Sequence, residues 1–412
     1  MVQCIINIGQ LVNVRTENIL LRGKALQELP VLNNAYLLIE DGLIKEYGLM
    51  KNLSINNFNE QQIIDAKLTT VLPCWCDSHT HLVFAATREE EFIDKIKGLS
   101  YADIAAKGGG ILNSAAKLNA ATEEDLYIAA LKRLNEVIAL GTGAIEIKSG
   151  YGLTVDAELK MLRVIKALKN NSPIPIKATF LGAHTYPTQF KNNHQAYINT
   201  IKNEMLPIIA KENLADYIDV FCEENFFSVD ETISICNAGK ELGLKPKIHA
   251  NQLSISGAVE AGVKLGAVSV DHLEMMDDKA INTLSTSNTI ATLLPTAAFF
   301  LRMNYPPARE LINKNAAVAL ASDYNPGSSP SGNMNFVNAI SCIQMKMLPE
   351  EVINASTING AYAMELEKQV GSVTVGKNAN LIFTKQIPSL AYLPYSFGNN
   401  LIDKVMINGK FI

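Results

Sequence analysis

The feature that most constrains the fold is a regular alternation of short apolar runs and longer amphipathic runs through the middle of the chain. Eight runs are rich in Val, Ile, Thr and Phe, and they end in TTVLPCWCDSHTH, TGAIEIKSG, IPIKATFLGAH, YIDVFCEE, KPKIHA, AVSVDHL, TIATLLPT and AVALASD. This composition is typical of buried parallel strands. Eight such strands alternating with helices predict an α/β protein with a (β/α)8 TIM-like barrel.

The connecting segments support this prediction. Residues 122–140 (TEEDLYIAALKRLNEVIAL) begin with the capping residues Thr122 and Asp125 and continue with apolar residues at helical spacing. Two later amphipathic stretches end at Gly243 and Gly266, which suit the left-handed C-cap of a helix. A doubly wound open sheet is the competing fold, but no glycine-rich phosphate loop follows an early strand.

The two ends of the chain have a different pattern, rich in strands and tight turns. INIGQLVNV, AYLLIEDGLIKEYG and QQIIDA lie near the N-terminus, with a hairpin turn at Asp41 and Gly42. GSVTVGKNANLIF and KVMINGKFI lie near the C-terminus, so we expect both ends to form one small β-sandwich domain. The predicted division is 1–65 and 360–412 for the small domain and 66–359 for the barrel.

Bulk composition argues against several classes of protein. A hydrophobic content of 48% allows a large core, and a net charge of −5 argues against an electrostatic nucleic-acid binder. No apolar run approaches the roughly 18 residues of a membrane span, and the N-terminus lacks the pattern of a signal peptide. The six cysteines are scattered without disulfide or zinc-finger spacing, which predicts a reduced, cytoplasmic protein.

Histidine residues concentrate at the predicted strand ends. His79 and His81 lie two residues apart at the end of the first barrel strand, so they share a face. Taken alone, this H-x-H is as compatible with two ordinary polar residues as with half of a metal site. Other strands end in His184, His249, His272 and Asp323. Because the C-terminal strand ends of a barrel converge, we expect these groups to meet.

Three imidazole nitrogens and one carboxylate oxygen would suit a catalytic metal ion with an open position for water. The residues that offer them are His79, His81, His249 and Asp323. Asp323 could also take the proton of the water, and His272, beside Asp271, could polarise the carbonyl group under attack. The alternative for His272 is a structural histidine buried against its neighbours.

Candidate ligand-binding residues follow the same strands. Arg88 in AATREEEF could grip a carboxylate bidentately, or it could pair at the surface with the acidic residues 89–91. Tyr151 in KSGYGL lies between glycines that allow close approach to a ligand, or it packs on the rim. The loop SDYNPGSSP could hydrogen-bond a small ligand or simply end the strand, through Asn325, Gly327 and Ser328.

These motifs resemble a known family. VLPCWCDSHTH is similar to the first-strand metal motif of the amidohydrolase superfamily, and GSVTVGKNANLIF is similar to its returning β segment. Within that superfamily, IEIKSGYGL, TFLGAH, KIHANQLS, GAVSVDHLE and ALASDYNPGSSP resemble the imidazolonepropionases. The resemblance runs from about residue 35 to the C-terminus, and KSGYGL together with SDYNPGS is its most specific part.

The resemblance implies a metal-dependent hydrolase that opens a cyclic amide. It implies a homodimer with one Zn²⁺ or Fe³⁺ ion per subunit, held by His79, His81, His249 and Asp323. It assigns substrate contacts to Arg88, Tyr151, His184, Gln252, Asn325, Gly327 and Ser328. The fourth strand ends in FCEE, without the Lys that bridges two metals in binuclear relatives, which fits a single ion.

Two positions depart from the family pattern. Cys74 stands where the first-strand motif usually has Gly, which changes local packing and leaves the ligand residues intact. Gln252 stands where some relatives have Glu, and an amide cannot act as a general base. A proton handled at this site must therefore be handled by Asp323 or His272, and Gln252 can only orient substrate by hydrogen bonds.

The activity implied is hydrolysis of 4-imidazolone-5-propanoate to N-formimidoyl-L-glutamate in histidine degradation. In this hypothesis a metal-activated hydroxide attacks the ring carbonyl, Asp323 shuttles the proton and His272 stabilises the oxyanion. The alternatives are an amidohydrolase that deaminates a heterocyclic base, and a non-catalytic barrel. A deaminase of a neutral base needs no Arg88 and usually has an acid at position 252, whereas scaffold barrels have usually lost metal ligands.

Overall fold

The computed structural model describes residues 2–99 and 109–412. Its strands are β1 (Val2–Val12), β2 (Val31–Glu40), β3 (Leu43–Leu49), β4 (Ile63–Asp65), β5 (Thr70–Pro73), β6 (Trp75–Asp77), β7 (Thr142–Lys148), β8 (Ile176–Ala183), β9 (Tyr217–Cys222), β10 (Lys245–Ala250), β11 (Ser269–His272), β12 (Ile290–Leu293), β13 (Val318–Leu320), β14 (Leu381–Thr384), β15 (Ile402–Ile407) and β16 (Lys410–Phe411). Its helices are α1 (Glu89–Ile96), α2 (Ile111–Ala120), α3 (Glu123–Ala139), α4 (Val155–Asn171), α5 (His194–Thr200), α6 (Leu206–Glu212), α7 (Val229–Glu241), α8 (Ala258–Leu265), α9 (Asp278–Ser285), α10 (Pro295–Leu301), α11 (Ala308–Asn313), α12 (Met334–Met345), α13 (Pro349–Ser356), α14 (Ile358–Ala363) and α15 (Tyr392–Tyr395).

Strands β6 to β13 form one parallel sheet in chain order, with eight strands in the described ranges. The sheet closes beyond its first and last strands, where the N–H of His81 donates to the carbonyl of Tyr324 at 2.9 Å. The carboxylate of Asp77 accepts from the hydroxyl of Ser322 at 2.6 Å and from its N–H at 3.0 Å. The predicted barrel is confirmed, and its closure brings the residues after β6 beside those after β13.

The helices surround this barrel and follow the predicted caps. The hydroxyl of Thr122 accepts the N–H of Asp125 at 3.1 Å and begins α3, and Gly266 ends α8 in a left-handed conformation with φ 69°. Leu134 of α3 is fully buried in the main core, and truncating such a leucine to alanine costs about 2–5 kcal/mol. In the part of the chain that the structure describes, no helix is long and apolar enough to cross a membrane.

The N- and C-terminal segments form a second, mixed sheet. Its strand order is β16-β15-β14-β5-β1-β2-β3, and β4 pairs with β1. The β2–β3 hairpin returns to the segment before β14, where the N–H of Ile44 donates to the carbonyl of Lys377 at 2.8 Å. The sheet thus curls around an apolar core that includes Ile5, Leu37 and Phe383. The prediction of a small β domain built from both chain ends is confirmed, as one curled sheet.

The motif TTVLPCWCDSHTH, predicted as the end of a single strand, contains two strands. β5 pairs with β1 and β14 in the mixed sheet, whereas β6 is the first barrel strand. The chain passes between the two sheets at Cys74, whose N–H donates to the carbonyl of Asn380 at 3.0 Å. The domain division at residues 65 and 359 stays a prediction. β5, which follows residue 65, is a strand of the small sheet.

Candidate active site

Four predicted metal ligands meet at the C-terminal end of the barrel. They are His79, His81, His249 and Asp323, and each is at most 2% exposed. The Nε2 atoms of His81 and His249 lie 3.4 Å apart. Oδ1 of Asp323 lies 3.5 Å from Nε2 of His79 and 3.7 Å from Nε2 of His81. Barrel strands that are distant in sequence therefore deliver three imidazoles and a carboxylate to one point.

Carboxylates behind the imidazoles prepare them to bind a metal ion. Asp271 accepts from Nδ1 of His79 at 2.7 Å, and Asp219 accepts from Nδ1 of His249 at 2.8 Å. These bonds hold the proton on Nδ1 and leave each Nε2 lone pair for the centre. Nε2 of His79 is buried and has no hydrogen-bond partner among the described residues. Burial lowers the pKa of His79 well below its ordinary value, so the donor set fits Zn or Fe.

A fully buried lysine ties these two carboxylates together. Nζ of Lys148 lies 2.8 Å from Asp219, 3.4 Å from Asp271 and 2.7 Å from Glu146. Burial alone would lower the pKa of Lys148, but the carboxylates outweigh it and raise it, so the amine is charged. This group was not predicted from the sequence, although Glu146 and Lys148 alternate in the strand IEIK and so share its inward face.

His272 borders the centre on one side. His79, His272 and Asp323 form a second group whose potential ligand atoms lie within 4.8 Å of one another. Nδ1 of His272 lies 3.4 Å from Oε1 of Glu274. Burial alone would lower the pKa of His272, but Glu274 and Asp323 outweigh it and raise it to about 9. A charged imidazole here can donate a hydrogen bond to an oxygen that gains negative charge.

Asp323 combines a left-handed backbone with a buried carboxylate. Its φ is 53°, and its Oδ2 accepts from the hydroxyl of Ser328 at 3.1 Å. Burial raises the pKa of Asp323 above its ordinary value, although His272, His249 and the hydrogen bonds from Ser328 and Asn325 act in the opposite direction. A raised pKa suits a carboxylate that accepts a proton and returns it.

Tyr151 forms a wall beside the centre. Its ring centroid lies 5.8 Å from that of His81 and 5.6 Å from that of His184. The guanidinium carbon of Arg88 lies 5.8 Å from the same ring. Nδ1 of His184 lies 3.0 Å from the carbonyl oxygen of Gly150 and therefore donates to it. Burial is the main cause that lowers the pKa of His184 to about 3, so this ring is neutral.

Arg88 is half-buried beside this wall. Its Nε donates to the hydroxyl of Ser114 at 2.8 Å. Within residues 2–99 and 109–412 no carboxylate forms an ion pair with it, so the pairing with residues 89–91 is not observed there. A Cβ at position 327 would lie 2.5 Å from Nη1 of Arg88. Because Gly327 has no Cβ, the guanidinium can pack directly against its backbone.

Asn325 uses its side chain to build the loop after β13. Its amide donates to the carbonyl of Asp323 and to the hydroxyl of Ser328, both at 2.7 Å. Its amide oxygen accepts the N–H groups of Gly327 and Ser328, both at 2.8 Å. These bonds use the whole hydrogen-bonding capacity of the amide. Contact between Asn325 and substrate stays a prediction, and in this structure the side chain holds Ser328 against Asp323.

Gln252 is held through its backbone. The buried carboxylate of Glu223 accepts the N–H groups of Gln252 at 2.5 Å, Leu253 at 3.1 Å and Ser254 at 3.1 Å. Glu223 was not predicted as a site residue, although its place directly after the strand YIDVFC was a usable signal. The loop that follows His249 is thus fixed by a carboxylate from the neighbouring strand.

Comparison with known proteins gives the family. Residues 70–412 match the amidohydrolase family. An imidazolonepropionase of Flavobacterium johnsoniae is 55% identical over 413 residues and covers 100% of both chains. An imidazolonepropionase of Christiangramia forsetii is 54% identical over 407 residues and covers 98% of both chains. The chain belongs to the imidazolonepropionases of the amidohydrolase family.

Solved structures with low sequence identity to this chain share its fold. A 5-methylcytosine deaminase from Klebsiella pneumoniae is 17% identical with a TM-score of 0.75, and the match covers 100% of this chain and 97% of that chain. An E. coli guanine deaminase is 12% identical with a TM-score of 0.73, and the match covers 100% and 99%. At these identities the likeness concerns the barrel and the small sheet alone.

Proposed function

We propose that this chain hydrolyses 4-imidazolone-5-propanoate to N-formimidoyl-L-glutamate, a step of histidine degradation. The observation that carries the proposal is the position of Tyr151 between His81 of the centre and the guanidinium of Arg88. Its ring lies 5.8 Å from the ring of His81 on one side and 5.8 Å from the guanidinium of Arg88 on the other. The ring of a ligand bound against Tyr151 would face the hydrolytic centre, and its carboxylate would face the guanidinium of Arg88. The full-length relatives named imidazolonepropionase support the same substrate.

The proposed pose follows from the donors and acceptors of the wall. The propanoate carboxylate pairs with Arg88, whose planar guanidinium suits bidentate contact. His184 donates its Nδ1 proton to the protein, so its Nε2 is left to accept a ring N–H. Gln252 orients the ring by hydrogen bonds. The opposite side is lined by the loop that contains Asn325, Gly327 and Ser328.

The metal ion would be held by His79, His81, His249 and Asp323. Zn or Fe bound there would supply Lewis acidity for activating water and for polarising the ring carbonyl. An N₃O donor set accepts either metal, so the proposal is one ion per subunit, identified by elemental analysis.

The chain's own residues handle the proton and the negative charge. Asp323 accepts a proton from the attacking water as the new C–O bond forms at the ring carbonyl carbon. His272, in its charged form, donates a hydrogen bond to the oxygen of the former carbonyl. The C–N bond between that carbon and the ring nitrogen then breaks. Asp323 returns the proton to the leaving nitrogen, and N-formimidoyl-L-glutamate is the product.

The test is a direct assay of purified protein whose metal content has been measured. Freshly prepared 4-imidazolone-5-propanoate is added, the ring absorbance is followed, and the product is identified by mass. We expect loss of the ring with formation of N-formimidoyl-L-glutamate, which stops after chelation and returns when metal is restored. No turnover at full metal content contradicts the proposal and moves the assay to heterocyclic bases, with released ammonia as the readout.

The deaminase alternative fits the site less well. A neutral base leaves the charge of Arg88 without a partner, and the amide of Gln252 cannot supply the acid that such enzymes usually place there. A non-catalytic scaffold is disfavoured by the four intact ligands that meet at the centre. We also propose a homodimer in the cytoplasm, to be tested by light scattering and by cell fractionation. The six free cysteines agree with a reducing compartment.

A further inference from the structure

A buried carboxylate that the proposed mechanism does not use lies beneath the Tyr151 wall. Glu158 is 0% exposed in the first turn of α4, and it faces the β7–α4 loop, residues 149–154. In the described part of the chain no lysine, arginine or histidine forms an ion pair with it. A buried charge without a counter-ion is costly unless hydrogen bonds compensate it, so its contacts need a reason.

Within the described ranges, the hydrogen bonds that the Glu158 side chain accepts all come from this one loop. Its Oε2 accepts the N–H of Gly150 at 3.1 Å, and its Oε1 accepts the N–H groups of Gly152 at 2.7 Å and Leu153 at 3.0 Å. The hydroxyl of Ser149 is a further donor. Burial raises the pKa of Glu158, and these hydrogen bonds act in the opposite direction. The carboxylate therefore gathers donors from consecutive parts of the β7–α4 loop.

The same loop determines two groups of the substrate wall. It carries Tyr151, and its Gly150 carbonyl accepts the Nδ1 proton of His184 at 3.0 Å. That bond fixes which nitrogen of His184 remains an acceptor. A shift of the loop would move the tyrosine ring and release the histidine tautomer together.

The loop conformation depends on an external anchor. Gly150 has φ 113° and Leu153 has φ 57°, and a left-handed leucine persists only where its surroundings hold it. A Cβ at Gly152 would lie 2.3 Å from the backbone nitrogen of Glu158, so the loop packs directly on the start of α4. Glu158 supplies the anchor from within that helix.

We propose that Glu158 is a positioning residue for substrate, which holds the β7–α4 loop so that Tyr151 and His184 face the ligand. The inference rests on the proposed function, in which these two residues contact substrate. The loop presents only donors to Glu158, and a carboxylate can accept all of them. Glutamine at this position would turn an NH₂ group toward an N–H and leave both without an acceptor.

The first experiment compares Glu158→Gln with Asp156→Asn in steady-state kinetics. Asp156 is exposed in the same first turn of α4, so its substitution removes the same charge from the helix N-terminus without touching the loop. We expect E158Q to raise KM by about 10-fold or more, because hydrogen bonds to a charged acceptor are lost. We expect kcat and metal content near wild type, and no change in D156N. A wild-type KM in E158Q overturns the inference.

A double-mutant cycle separates positioning from a general structural effect. In a Tyr151→Ala, His184→Ala background, E158Q is expected to leave KM unchanged, because the residues through which it acts are gone. The same fold-change in both backgrounds overturns the inference. If E158Q does not fold, Glu158→Asp, which keeps the charge with a shorter reach, is read by the same KM criterion. If the wild-type enzyme turns over the substrate and E158Q has a wild-type KM, this inference alone is wrong. If the wild-type enzyme is inactive on the substrate, the proposed function is wrong as well.

Discussion

The two halves of the site are built by different means. The half proposed to bind metal (the metal half), His79, His81 and His249 with the groups behind them, is fixed by charged side chains of the barrel strands. Its supporting residues Lys148, Asp219 and Asp271 are at most 1% exposed. The half proposed to bind substrate (the substrate half), Arg88 and Tyr151 with the loops around them, is fixed by hydrogen bonds that single side chains of nearby helices and loops make. These side chains are Ser114, Glu158 and Asn325.

This difference indicates which half of the site determines kcat and metal affinity and which determines KM. In the metal half, removing one member of a buried ion-pair network leaves the others uncompensated, which typically costs 3–5 kcal/mol. In the substrate half, loops on a rigid barrel can change locally without disturbing the sheet. We therefore expect substitutions in the metal half to change kcat and metal affinity, and those in the substrate half to change KM.

Asp323→Asn is expected to have the largest effect, because it removes the proton acceptor at the centre and keeps the shape of the side chain. We expect kcat to fall by about 10²–10⁴-fold, the usual contribution of general acid–base catalysis. Asn keeps an oxygen at the ligand position, so metal content after incubation with excess metal, measured by elemental analysis, should stay near wild type although metal affinity falls. Asp403→Asn, at an exposed aspartate, is the control. Wild-type turnover in D323N would show that the proton is handled elsewhere.

Lys148→Met tests the metal half without touching a ligand. Asp219 and Asp271, which orient the imidazoles of His249 and His79, lose the cation that they share. Glu146 loses the same cation and keeps its ion pair with Lys247. We expect metal affinity, measured by competition with a chelator, to fall by about 10–100-fold, as for other outer-shell residues. Lys169→Met, which removes an exposed ion pair with Asp216, should leave affinity unchanged. Unchanged affinity in K148M would contradict the distinction between the halves.

Arg88→Ala tests the substrate half. Loss of a charged hydrogen-bond donor is expected to raise KM by about 10–100-fold with metal affinity unchanged. Arg88→Lys should not restore KM, because an ammonium cannot pair bidentately with a carboxylate. Arg163→Ala, which removes an exposed ion pair with Glu212, serves as the matched control. If R88A loses metal instead, the two halves are coupled.

Gly327→Ala is expected to have the smallest effect. The added Cβ would lie 2.5 Å from Nη1 of Arg88, the mobile end of a long side chain that can shift. We expect KM to rise by roughly threefold, below the effect of overpacking a rigid core. Gly398→Ala, where nothing lies within 4 Å of the added atom, should behave as wild type. A large loss of kcat in G327A would place this loop in the metal half.

The sequence could predict the parts of the site that depend on local pattern. His79 and His81 stand out because two imidazoles two residues apart follow an apolar run. His249 and Asp323 also lie at or after strand ends, and barrel topology alone converts such positions into proximity. The caps of α3 and α8 follow from single residues at the helix ends.

Other features depend on register and loop conformation, which local pattern does not contain. Lys148 meets Asp219 and Asp271 because the strands that carry them are aligned in one particular way. The saturation of the Asn325 amide depends on the path of its loop. The separation of β5 from β6 was hidden because both are apolar and only Cys74 stands between them.

The closure of the barrel also has a consequence for the order in which the proposed ligands become available during translation. The proposed metal ligands come from the first, fifth and last barrel strands, and the seam between Asp77 and Ser322 forms only when the last strand is present. A nascent chain that ends before Val318 therefore has the histidines and lacks Asp323. An ion that binds only the finished constellation stabilises only the finished chain. We therefore expect a metal ion that needs all four proposed ligands to bind only after the last barrel strand has been synthesised.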